Sequence, residues 1–217
     1  LTQGPRVADF ERAFAAFMRA PVTADMLRIE HLERHVVDRH REVFNPAQVV
    51  RILADGMRYD LWLCLREEFL PHLGATFRIV EERALWAHLP TTTEVQLAKI
   101  KLPGTALFGP RIVTRDAYLQ GGHQDAIVKV EYIDELCHGV RGGMPDVYRE
   151  ALAGAAIKLQ GLLEALPPRT LVLLFADHGF AENPEFSARE KYEQPRYVHG
   201  GASLFEVIVP AAVLYRV

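Results

Sequence analysis

Three short apolar runs in this chain each end on an acid. "VVRILA" (49–54) runs into Asp55, "AIVKVEYI" (126–133) into Asp134, and "TLVLLFA" (170–176) into Asp177-His178-Gly179. Runs this short, rich in β-branched residues and without strict alternation, are the pattern of strands buried on both faces. Segments of helical period lie between them, at 58–73, 93–100 and 146–166. Parallel neighbours need a crossover connection, usually a helix. The alternation therefore predicts an α/β fold, a three-layer α/β/α sandwich with a mostly parallel sheet.

Around this frame the pattern is plainer. Residues 6–19 and 24–41 carry apolar side chains at helical spacing, so 1–45 reads as an N-terminal helical segment, the expected end of a preceding domain, and 46–217 as the main domain. The run 76–89 predicts a strand with a turn, 101–126 a loop, 182–196 a charged connection, and 211–217 a last strand. With 25 Lys and Arg against 28 Asp and Glu, the charge balance excludes nucleic-acid binding through bulk electrostatics. Two scattered cysteines, Cys64 and Cys137, make no disulfide framework, and no apolar run approaches the roughly 18 residues of a spanning helix. These features predict a cytoplasmic protein with no membrane partner. A first residue that is Leu and not Met fits a piece of a longer chain.

Ligands of open α/β sheets bind beyond the carboxyl ends of the strands, where the three acids fall. Asp is also an ordinary turn and cap residue, so each alone has a structural explanation. Asp134 and His138 form D-x-x-x-H, which puts both on one helix face and suits a shared metal ion. Gly179 lets the backbone turn, so that Asp177 and His178 converge, and His199 precedes two glycines. In "LPTTTE" Thr93 opens a helical pattern. It is either an N-cap or a hydroxyl nucleophile helped by the helix dipole and a metal.

The segments "ILADGMRYD", "LPTTTE", "FADHGF" and "VHGGAS" resemble the PglZ domain, a branch of the alkaline phosphatase superfamily, in the family's order from about residue 49 to 217. The resemblance implies an alkaline phosphatase-like sandwich with two divalent metal ions, Zn²⁺ or alternatively Mn²⁺. One ion would be held by Asp55, Thr93, Asp177 and His178, the other by Asp134, His138 and His199. The third residue after the motif's proline is the family's usual nucleophile, which selects Thr93 over Thr91 and Thr92. Arg58 is the candidate phosphoryl-binding residue.

The implied activity is phosphoester hydrolysis through a phosphothreonine. Short segments between the motifs predict an open site that favours phosphodiesters, nucleotides or nucleic-acid ends. "PTTTEV" lacks the convertible Cys or Ser of a sulfatase, and the chain has no room for the second domain of a phosphoglycerate-mutase-like enzyme. The resemblance also implies protein partners in a phage-defence (BREX) or signalling assembly. Its alternative reading is a non-catalytic scaffold with a structural metal site.

Overall fold

The computed structural model describes residues 27–73, 76–100, 110–121, 126–139, 142–186 and 195–217. The helix expected over 6–19 lies outside them. A 3₁₀ turn (Ile29–His31) and a π-helical stretch (Glu33–Val37) lead into α1 (Asp38–Phe44). Then follow β1 (Gln48–Ala54), α2 (Tyr59–Leu73), β2 (Phe77–Trp86), α3 (Thr93–Leu97), β3 (Ile112–Thr114), α4 (Arg115–Leu119) and β4 (Ile127–Val130). The chain closes with α5 (Tyr132–Gly139), α6 (Met144–Ala165), β5 (Thr170–Phe175), β6 (Ala181–Glu182), β7 (Tyr197–Val198), α7 (Leu204–Val207) and β8 (Ile208–Arg216).

Six strands form one sheet in the order β2-β8-β5-β1-β4-β3. β1 pairs in parallel with β5 and β4, and β3 in parallel with β4. β8 runs antiparallel to both β5 and β2. The chain is thus an α/β protein with a mostly parallel central sheet flanked by helices. The three apolar runs became its central strands because both faces of each are covered. Ile52, Leu53, Val128, Leu171, Val172 and Leu174 are all fully buried. Each such aliphatic side chain contributes about 1.5–3 kcal/mol through loss of apolar surface to water. The helix α6 is the spine of the helical packing, touching α2, α4, α5 and β4. Ile29, Leu32, Val36 and Val37 join the same buried cluster, so residues 27–44 share one core with the sheet.

Several expectations need correction. The stretch 101–126 holds a strand and a helix, β3 and α4, where a loop was expected. Three residues, Ile112-Val113-Thr114, carry too little pattern to declare a strand; pairing with β4 gives them one. Thr114 also caps α4, its hydroxyl oxygen accepting from the Ala117 N–H at 3.2 Å. The strand expected over 126–133 stops at Val130, and Asp134 lies in the first turn of α5, not at a strand end. The charged connection 182–196 contributes Glu182 to a small second sheet, β6 with β7. The last strand starts before Pro210, at Ile208.

One glycine fixes how the ends of β1 and α5 meet. Gly56 has a φ of 74°, and a Cβ there would lie 3.2 Å from the Asp134 backbone. An L side chain is strained in that conformation and crowded by α5 as well. Gly56→Ala is expected to destabilise the fold by more than about 1 kcal/mol in urea unfolding. It should also displace Asp134 from Asp55, read as weaker metal binding in a calorimetric titration.

Candidate metal centre

Asp55 follows β1 directly, and Asp177 and His178 follow β5 by one residue. Parallel pairing aligns Leu53 with Phe175 and Ala54 with Val130, so the acids leave the sheet side by side. All three side chains are buried, with Asp177 and His178 fully so. His178 Nε2 lies 3.3 Å from Asp55 Oδ1 and 3.7 Å from Asp177 Oδ2. Thr93 Oγ1 lies 3.3 Å from Asp55 Oδ1 and 3.2 Å from His178 Nε2. Its neighbours have other tasks. Thr92 is the N-cap residue of α3, in extended backbone, and Thr93 is the first helical residue. Thr91 is fully buried; its hydroxyl donates to the Gly201 carbonyl and accepts from the Gly200 N–H, both at 2.9 Å. With only five residues, α3 supplies a small dipole, so Thr93 depends on its contacts with Asp55 and His178.

The second group gathers on α5 and the loop after β7. Asp134 Oδ2 lies 3.5 Å from His138 Nε2, and Asp134 Oδ1 lies 3.6 Å from His199 Nε2. The His178 and His199 rings stack at 4.1 Å between centroids, which joins the two groups. Potential ligand atoms come within 4.8 Å of one another in two sets, Asp55-Asp177-His178 and Asp134-His178-His199. The structure thus brings six expected residues together, with His178 common to both sets. His138 stands at the edge, half-exposed, touching Asp134 and lying edge-on to His199 at 5.5 Å.

The donor set suits a cation. Asp177 Oδ2 is buried with no hydrogen-bond partner among the described residues, a costly state for a carboxylate oxygen unless a positive charge faces it. His178 and the part-exposed His199 are also oriented as ligands are. His178 Nδ1 lies 3.0 Å from the Gly179 carbonyl oxygen, and His199 Nδ1 lies 3.2 Å from that of Thr91. A carbonyl only accepts, so each Nδ1 carries the proton, and each Nε2 is turned toward the carboxylates.

Titration follows from the same contacts. Burial opposes charge on Asp55, yet hydrogen bonds from His178 and Lys129 outweigh it and hold the carboxyl below its ordinary value. Burial pushes Asp177 up, as does the nearby charge of Asp55. Burial alone would lower His178, but Asp177, Asp55 and the Gly179 carbonyl raise it to about 9. The ring is therefore protonated near neutrality, and a cation at this site would take the place of that proton. His199 is lowered, first by burial and then by the charge of His178.

Two contributors escaped the sequence reading. Lys129 Nζ lies 2.7 Å from Asp55 Oδ2 and 3.2 Å from Glu131, and these carboxylates overcome burial to raise it to about 12. Its signal was a lone charge within the apolar run "AIVKV". Glu206 is buried; its carboxylate accepts from the Gly201 N–H at 2.7 Å and the Ser203 N–H at 3.2 Å, which shapes the loop carrying His199. Its signal was the Ser203-x-x-Glu206 spacing, of which only the Glu206 half forms, since Ser203 Oγ is buried without a hydrogen-bond partner among the described residues.

Arg58 is not brought into the cluster as a phosphoryl-binding residue. It is buried, and its guanidinium donates to both Asp60 oxygens, at 2.9 and 2.7 Å, and to the Phe180 carbonyl at 3.4 Å. It also stacks over Phe205 at 3.9 Å. Tyr148 donates a short hydrogen bond to the same Asp60. Burial opposes ionisation of Asp60, but Arg58 and Tyr148 hold its carboxyl below the ordinary value of 3.8.

No protein-family model and no curated protein matches the chain. Among the described residues, no helix is long and apolar enough to cross a membrane.

Because Asp60 is lowered on folding, its pair with Arg58 stabilises the protein above the unfolded carboxyl value and ceases to do so as pH falls through the folded one. Asp60→Asn is expected to cost about 1–3 kcal/mol at pH 7, below the full cost of breaking a buried pair because Asp60 is part-exposed. Chemical unfolding of both proteins between pH 7 and 3 should show the difference shrinking below about pH 4.

Proposed function

We propose that this chain is a metal-dependent phosphoester hydrolase, a PglZ-type member of the alkaline phosphatase superfamily, with Thr93 as nucleophile. The observation that carries the reading is a hydroxyl, Thr93 Oγ1, held 3.3 Å from Asp55 and 3.2 Å from His178 beside the buried Asp177, whose Oδ2 lies 3.7 Å from His178 Nε2 and has no hydrogen-bond partner among the described residues. A cluster that served packing alone would satisfy that oxygen. The mostly parallel sheet is compatible with the three-layer sandwich of that superfamily.

In this reading Asp55, Asp177, His178, Asp134 and His199 hold divalent ions, Zn²⁺ by preference for nitrogen and oxygen donors, with Mn²⁺ as competitor. Such ions would supply Lewis acidity, lowering the pKa of a bound hydroxyl and offsetting phosphoryl charge. We assign two ions, one to Asp55, Asp177 and His178 and the other to Asp134, His138 and His199, because the single free Nε2 of His178 serves one ion. Thr93 Oγ1 forms the new bond to phosphorus as the ester oxygen departs with the electron pair of the broken P–O bond, and the proton of the part-exposed Thr93 passes to solvent. Water then hydrolyses the phosphothreonine. The buried positions of Asp177 and His178 keep the ligand side dry and fixed, while the part-exposed Thr93 faces the substrate. Phosphodiesters of nucleotides or nucleic-acid ends are the proposed substrate class, in a cytoplasmic defence or signalling assembly.

Metal analysis and turnover test this together. The Zn²⁺- or Mn²⁺-loaded chain should cleave bis(p-nitrophenyl) phosphate in preference to p-nitrophenyl phosphate. Thr93→Ala should lower kcat by about 10³-fold or more with the metal content kept. His178→Ala should lose metal with the circular dichroism spectrum unchanged. Cleavage of the monoester alone would overturn the diester assignment. Bound metal with no turnover on any phosphoester would make the chain a scaffold with a structural metal site.

A further inference from the structure

A cleft of about 250 Å³ opens beyond the carboxyl ends of β3 and β4, between α4, α5 and α6. Lys129 forms its border with the metal centre, since it lines the cleft and its Nζ lies 2.7 Å from Asp55 Oδ2. Asp55 in turn is 3.3 Å from Thr93 Oγ1 through its other oxygen. Between a group in the cleft and the nucleophile stand Lys129 and the Asp55 carboxylate, in contacts of 2.7 Å and 3.3 Å in series.

Size and lining narrow what that group is. The volume falls below the roughly 300–1,000 Å³ of pockets that enclose a drug-sized ligand, so the cleft fits a single ring and not a whole dinucleotide. Its cationic donors, Arg115, Lys129 and Lys158, are matched by three carboxylates, Asp116, Glu131 and Glu135. A polyanion would meet as much repulsion as attraction in such a lining. Hydroxyl groups, which donate and accept, satisfy both kinds of wall at once. Unused capacity is present. Lys158 and Glu135 make no ion pair with any described residue. Tyr132 adds an aromatic surface, its ring seated so closely on Gly154 of α6 that a Cβ there would collide with it. A fixed ring beside paired donors and acceptors is the chemistry that recognises a sugar.

We infer that this cleft receives the sugar, or an equally hydroxylated alcohol, of a phosphoester whose phosphorus lies at Thr93, an inference that rests on the hydrolase reading above. It narrows the substrates to esters of polyhydroxylated alcohols and assigns Lys158 and Glu135 as residues that bind them.

Calorimetric titration of the Zn²⁺-supplemented Thr93→Ala chain tests this without turnover, using ribose 5-phosphate, phenyl phosphate and phosphoglycolate. The ribose ester should bind about tenfold tighter than the phenyl ester. In that background Lys158→Met and Glu135→Gln should each cut the preference by about threefold or more, and both side chains are exposed enough for the variants to fold. No binding of the ribose ester, equal binding of the ribose and phenyl esters, or a preference unchanged in both variants would overturn the inference. So would tightest binding of phosphoglycolate, which would mark an anion site. A sugar preference that survives while the wild-type chain hydrolyses no phosphoester would uphold the cleft assignment and sink the hydrolase reading alone.

Discussion

The central strand β1 pairs with β5 on one side and β4 on the other, and the polar centre depends on those two registers. With Leu53 opposite Phe175 and Ala54 opposite Val130, the chain leaves the sheet at Asp55 beside Asp177 and beneath α5. A slip of one residue would turn every side chain of β1 to the other face of the sheet. Dense apolar burial of Ile52, Leu53, Val172 and Leu174 fixes the register, so hydrophobic packing positions the carboxylates.

Concentrating Asp55, Asp134 and Asp177 around two imidazoles has an electrostatic cost that the rest of the centre answers. Lys129 neutralises one oxygen of Asp55. His178, with its pKa raised to about 9, answers the other oxygen and Asp177 when no metal is bound. Asp177 Oδ2, 3.7 Å from that ring, still has no hydrogen bond among the described residues, and a divalent cation would relieve this. Outer contacts reinforce the arrangement. Thr91 and Glu206 satisfy the backbone around Gly200 and Gly201, so the His199 loop is held by hydrogen bonds that involve no ligand atom.

Much of this was legible along the chain. The strands of 49–54 and 170–176 could be read because short runs dominated by β-branched and aliphatic residues and bounded by Asp-Gly and Asp-His-Gly have few other uses. Asp134 and His138 could be paired because helical spacing is a local rule. β3 was not legible, since three residues acquire strand geometry only from the partner beside them. Nor was the commitment of Arg58, because Asp60 is near in sequence while Phe180, Tyr148 and Phe205 are far from it.

The sequence by itself determined the α/β alternation, the apolar strands and the placing of Asp55, Asp177 and His178 after two of them. Each of these follows from short-range periodicity and from the few residue types that tolerate a turn. Only the tertiary structure placed Thr93 Oγ1, already selected over Thr91 and Thr92 by the resemblance, 3.3 Å from Asp55 and 3.2 Å from His178, and put His178 within reach of both ligand sets. It alone turned Lys129 toward Asp55 and Arg58 away to Asp60. Those outcomes depend on distances between segments far apart in the chain, which packing and strand register set and which no local pattern encodes.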